Sequence, residues 1–165
     1  MDKQLFDRLL ESVIQMDKIA RALIVSEARR WVDTPYAHQA SLMGVGCDCV
    51  GLIRGVGFAC DVLPRRPEEW KLFNAYGRLP SPKRMAEGMR TFLVPVETGA
   101  EQPGDIAWLA WRADLPMHLA ILAESNGRAT LIHSYSDVGR VVEHGLSQQW
   151  ADRIVSWWRY PGADQ

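Results

Sequence analysis

The chain reads as an α+β domain in which N-terminal helices pack on an antiparallel sheet, and three observations predict this. Apolar residues recur at helical intervals through the first third of the chain. Beyond Gly104, short alternating segments are parted by turn signals such as Ser125-Asn126-Gly127. Between the two regimes stands a glycine-punctuated loop, Gly46-Cys47-Asp48-Cys49, followed at once by an apolar run. Helices first and antiparallel strands after is the α+β order.

In chain order, Leu5, Leu9, Leu10, Val13, Ile14 and Ile19 form a first helical stripe, and residues 1–18 are set apart as an amphipathic extension of a domain spanning 19–165. The stripe either covers this domain's own core or docks on a partner. Leu23, Ile24, Ala28, Trp31 and Val32 continue the period in a second helix. Val50, Leu52, Ile53, Val56 and Phe58 suit a buried helix starting near Cys49, although so short a run also suits a strand. From Leu63 to Pro82 the chain is rich in proline, arginine and aromatics and reads as an irregular excursion. Lys83 to Leu93 allows a further helix. Strands are expected at Asp105–Trp111, His118–Ala123, Ala129–His133, Arg140–Glu143 and Arg153–Arg159.

Composition narrows the function. A chain of 165 residues, 47% hydrophobic, is long enough and apolar enough for one real core. The formal net charge of -1, with basic residues scattered among acidic ones, argues against a nucleic-acid surface. No apolar run reaches the length of a membrane span, and Asp2, Lys3, Asp7, Arg8 and Glu11 interrupt any signal-peptide core. The expectation is cytoplasmic synthesis without a signal peptide. Three cysteines cannot all pair, and Cys47 and Cys49 lack the spacing of a zinc or redox pair, so neither a disulfide scaffold nor a metal or other cofactor is expected. Cys60 reads as a buried core residue, and Cys47 has no assigned role.

Cys49 is the residue with chemistry. At a helix start, unpaired N–H groups and the positive dipole end favour thiolate over thiol. Downstream, His118 and His133 each lie in an apolar, strand-like segment and supply a base and a group to orient it. His38 sits in the loop before Cys49, and His144 reads as a surface residue.

The motifs Ala28-Arg29-Arg30-Trp31-Val32-Asp33-Thr34-Pro35-Tyr36, Asp48-Cys49-Val50-Gly51-Leu52, Pro103-Gly104-Asp105-Ile106, Met117-His118-Leu119-Ala120-Ile121 and Leu131-Ile132-His133-Ser134-Tyr135 resemble, in order, those of the NlpC-type cell-wall cysteine peptidases. The resemblance runs from about Ala20 to about Pro161. The wording His38-Gln39-Ala40-Ser41 and Gly46-Cys47-Asp48-Cys49 resembles the branch found in phage and gene-transfer-agent tails.

This resemblance implies a papain-like NlpC-type fold in which Cys49 is the nucleophile, His118 the general base, His133 the residue orienting it, and Tyr36 an oxyanion neighbour. Asp48, His38 and Trp70 are the candidates for substrate contact. The implied activity is a cysteine endopeptidase cutting peptidoglycan stem peptides at the γ-D-glutamyl to diamino-acid bond. Val50 stands where many members have a serine that helps hold a free stem amine, so cleavage within intact stems is expected. A phage-tail hub or baseplate is the implied protein partner, placing the enzyme on a virion that acts on the periplasmic wall. Two rival readings are a catalytically silent tail-tip protein and a thiol amidase or acyltransferase on the same fold.

Overall fold

The computed structural model describes residues 3–4, 21–65, 81–112 and 115–163, with backbone alone for 111–112. The expected stripe of Leu5 to Ile19, the extension over 1–18 apart from Lys3 and Gln4, and the excursion at 66–80, with Trp70, lie outside the described residues.

The helix over residues 21–30 (α1) follows the predicted second stripe with one change of face: Ile24, Val25 and Ala28 are buried, whereas Leu23 is 57% exposed. Trp31, just after it, is buried too. A two-stranded ribbon, β1 (Ser41–Leu42) and β2 (Gly46–Cys47), leads into α2 (Cys49–Ala59). Next come α3 (Pro82–Phe92), β3 (Val94–Val96), β4 (Ile106–Arg112), β5 (Leu115–Ser125), β6 (Arg128–Tyr135), β7 (Arg140–Gly145), the one-turn α4 (Gln148–Ala151) and β8 (Ile154–Arg159). The five strands expected from alternation are all present. The ribbon, β3 and α4 were not foreseen, being too short to carry a period.

β3 to β8 form one antiparallel sheet in the order β3-β8-β4-β5-β6-β7. Because side chains alternate along a strand, each face of the sheet collects every second residue. One face, with Ile106, Leu119, Ile121, Ile132 and Val141, packs on Ile24 and Ala28 of α1 and Leu52, Ile53 and Val56 of α2. The other, with Ala107, Leu109, Ala120, Leu122 and Leu131, forms a smaller cluster against which Trp150 of α4 packs. Tyr160, fully buried, donates its hydroxyl to the Ile53 carbonyl at 2.8 Å and ties the chain beyond β8 to α2.

Asp105 fastens α1 to the sheet. It is fully buried and accepts from Arg21 Nη1 at 3.0 Å and from Arg159 Nε and Nη2 at 2.8 Å each. Gly104 precedes it with φ +96° and packs on the Arg21 backbone, which explains the Pro103-Gly104-Asp105 wording as a structural clasp. Arg29 makes a second tie across the domain, a two-pronged contact with Glu143 of β7 at 2.9 Å for each prong.

Candidate active site

Asp48 starts α2. Its backbone is extended and its Oδ1 accepts from Gly51 N at 2.8 Å, an N-cap in the usual sense, while Oδ2 accepts from Gln39 N at 2.6 Å. With both oxygens engaged and 4% exposure, the carboxylate caps α2 and anchors the loop before it. His38 stands beside it, Nδ1 being 3.8 Å from Asp48 Oδ2. Gly51 is required by a close approach, since a Cβ there would overlap the Ala40 carbonyl oxygen. Ser41 closes the same seam by donating to the Gly51 carbonyl at 2.6 Å. The loop 37–41 is thus pressed onto the first turn of α2.

Cys49 is the first residue of that helix and is half-buried. The backbone N–H groups of Leu119, Val50 and Cys49 itself favour the thiolate. Burial outweighs them, and the Asp48 carboxylate adds to it, so the thiol is pushed up to about 12. The sequence expectation of a thiolate favoured by the helix start therefore needs correcting, because desolvation and an adjacent anion overcome the dipole.

His118 precedes Leu119 on β5. The ladder between β5 and β6 runs from Ser125↔Arg128 to Ile121↔Ile132, and His118 and His133 stand just beyond its end. There His118 Nε2 lies 2.6 Å from His133 Nδ1. Both rings are buried, His133 completely, and burial lowers them to about 3 and about 2, respectively, the His118 and His144 charges adding to the effect on His133. Tyr36 borders the thiol. Its N–H donates to the Gly139 carbonyl at 2.8 Å, and burial followed by the charges of Asp48 and Cys49 raises its phenol.

The structure adds residues that sequence reading missed. His144, expected on the surface, is half-buried, and its Nε2 lies 2.8 Å from His133 Nε2. His133 pairs with Val142 across β6 and β7, so His144, two residues on, is its diagonal neighbour on the same face. Tyr135 stacks on the His133 ring at 5.2 Å, and Trp150 meets His133 edge-on at 5.0 Å and lies tilted against His144 at 4.8 Å. The alternation of Val142 and His144 after a short hairpin was the signal available. Cys60, expected in the core, is the half-buried C-cap of α2, and burial pushes its thiol up to about 11. Cys47 is a buried strand residue whose thiol is likewise raised to about 11 by burial. Among the described residues no three His, Cys, Asp or Glu side chains are grouped to hold a metal ion, and the three histidines run in line rather than converging.

No protein-family model matches the chain, and no curated protein does. Solved structures do. An NlpC/P60 family protein from Bacillus cereus superposes with a TM-score of 0.60 at 18% identity, over 85% of this chain and 40% of its own. A protein from Staphylococcus aureus, described as similar to lipoprotein of the NLP/P60 family, gives 0.55 at 19% identity, over 86% and 41%. The NlpC/p60 domain of the peptidoglycan hydrolase SagA gives 0.51 at 18% identity, over 84% and 97%. The chain thus spans about two fifths of the first two proteins and nearly all of the isolated SagA domain. At these identities the likeness is one of fold: the chain has the α+β fold of NlpC/P60 domains.

Proposed function

We propose that this chain is a cysteine hydrolase of amide bonds in peptidoglycan stem peptides, with Cys49 as nucleophile, His118 as general base and His133 orienting the base. The observation that carries the reading is the junction of Cys49, at the first position of α2, with the backbone of Leu119 on β5, the residue next to His118, whose ring is tied at 2.6 Å to His133. The NlpC/P60 fold, shared with a peptidoglycan hydrolase domain, supports the substrate class.

The chemistry begins from a neutral pair. His118 takes the thiol proton as the sulfur attacks the amide carbonyl, forming the C–S bond. The resulting imidazolium protonates the amine as the C–N bond breaks. Water, deprotonated by the same ring, then cleaves the thioester and restores the thiol. The Cys49 backbone N–H and the Tyr36 hydroxyl are the donors proposed for the developing oxyanion, where one well-aimed donor is worth roughly 3–4 kcal/mol.

The proposed scissile bond is that between γ-D-glutamate and the diamino acid. A particle-borne role is proposed on the sequence resemblance, and docking of residues 1–18 on a tail hub or baseplate on their Leu5, Leu9 and Val13 stripe, which lies outside that resemblance. Digestion of purified muropeptides with fragments identified by mass spectrometry tests the reaction: cleavage at that bond, absent in Cys49→Ala, is expected. Intact muropeptides after prolonged digestion would favour the silent tail-tip reading. Transfer of the acyl group to an added amine in preference to water would favour an acyltransferase. Deleting residues 1–18 tests docking, the expected result being unchanged activity with loss of particle association.

A further inference from the structure

The chain of histidines does not end at His133. His133 Nε2 lies 2.8 Å from His144 Nε2, and His144 Nδ1 lies 2.9 Å from the Gly145 carbonyl oxygen. A carbonyl oxygen can only accept, so it fixes the proton at the far end of the chain. His144 must carry its proton on Nδ1, which leaves Nε2, in the neutral ring, as an acceptor. His133 then donates from Nε2 and accepts at Nδ1. His118 in turn donates from Nε2 to His133, so its lone pair is on Nδ1. One backbone oxygen thereby dictates the tautomer of three rings in series.

We propose that His144 is a positioning residue for His118: with the Gly145 carbonyl it locks His133, and through it His118, in the tautomer whose Nδ1 accepts the Cys49 proton. The inference rests on the catalytic reading given above, although the tautomers themselves do not. The carbonyl is well placed to act as a fixed reference. Gly145 pairs with Thr130 on β6, and Ser147 N donates to the same oxygen at 3.0 Å. Trp150 and Tyr135 hold the rings from the sides, and the guanidinium of Arg153 lies over Trp150 at 5.0 Å. In the opposite arrangement, with His133 donating from Nδ1, His118 Nε2 would become the acceptor and Nδ1 would carry the proton, leaving no base for the thiol.

Long-range proton–nitrogen NMR of the full chain labelled with 15N-histidine reads the three tautomers without reference to activity. The expected pattern is Nε2–H for His118 and His133 and Nδ1–H for His144. His144 as Nε2–H, or His133 as Nδ1–H, overturns the proposal. Kinetics on muropeptides supply the second arm. His144→Leu is expected to lower kcat on the order of tenfold or more with KM within about twofold, because His133 is released to either tautomer. His144→Gln, whose amide oxygen can accept from His133 Nε2, is expected to restore most of that loss and to keep His133 as Nε2–H. A His144→Leu protein with wild-type kcat, or a folded His144→Gln protein as slow as it, assigns His144 to packing alone. Should the wild-type chain cleave no muropeptide, the catalytic reading fails while the NMR pattern still decides whether the relay is set as described.

Discussion

The Ser134 hydroxyl, 1% exposed, donates to the Cys47 carbonyl at 2.8 Å. The residue after His133 is thus bonded to the strand that ends two residues before Cys49, across 87 positions of sequence. The start of α2 and the histidine row are held in register by a bond to neither Cys49 nor His133. Ser134→Ala is expected to cost about 1–2 kcal/mol, since the Cys47 carbonyl loses a buried donor. Activity should fall by more than the loss of stability explains. Denaturant melts and muropeptide kinetics on the one variant check both, and unchanged kinetics would detach this bond from the site.

Gly51→Ala should be among the most damaging single-methyl changes in the chain. The added Cβ meets the Ala40 backbone, which cannot swing aside as a side-chain tip would. Either α2 shifts and carries Cys49 with it, or the loop 37–41 lifts and the Asp48 and Ser41 bonds break. Overpacking of this kind costs roughly 1–3 kcal/mol. Thermal melting together with activity measures it; a variant as active and stable as the parent would contradict the packing described.

Asp105→Ala removes the one carboxylate to which Arg21 and Arg159 both donate. Breaking a buried ion pair from one side costs roughly 3–5 kcal/mol. Urea unfolding is expected to show a loss of that order, and a loss below about 1 kcal/mol would mean the clasp is energetically idle.

Acid should weaken the fold through the relay. Burial lowers His118 and His133 to about 3 and about 2, against an ordinary value near 6.5. Above about pH 6.5 both states are neutral at these rings and nothing is gained or lost. As pH falls from there towards the folded values, only the unfolded chain takes up the protons, so stability declines by up to roughly 1.4 kcal/mol per pH unit for each ring. Replacing His133 with glutamine is expected to make the loss of unfolding free energy between about pH 6 and pH 4 shallower. Equal slopes in both proteins would show that the ring is not a buried neutral group.

Much of this architecture was legible in the sequence because it repeats. Alternation along β4 to β8 and the helical period of Ile24, Ala28 and Trp31 report burial directly. Cys49, His118 and His133 stood out by residue type, and by resemblance. Other features had no period to announce them. Asp48 reads as a site residue from its place beside Cys49, yet its geometry is that of a cap. His144 reads as surface until the register of β6 and β7 sets it diagonal to His133. The thiol's pKa follows from three-dimensional burial, which no local sequence signal reports.

The neutral resting pair is itself testable. With Cys49 pushed up to about 12 and His118 down to about 3, the difference in thiolate absorbance near 240 nm between the wild type and Cys49→Ala should show no step between about pH 4 and pH 9. A step in the acid range would indicate a preformed thiolate–imidazolium pair instead.

Intact-protein mass spectrometry of rapidly quenched reactions with a stem-peptide substrate catches the covalent intermediate itself. A transient acyl adduct is expected, placed on Cys49 by peptide mapping. Adduct and turnover should vanish together in Cys49→Ala, while Cys60→Ala keeps both and a metal chelator leaves both intact. Turnover that persists in Cys49→Ala, or that needs a metal restored after chelation, would rule out Cys49 as the nucleophile.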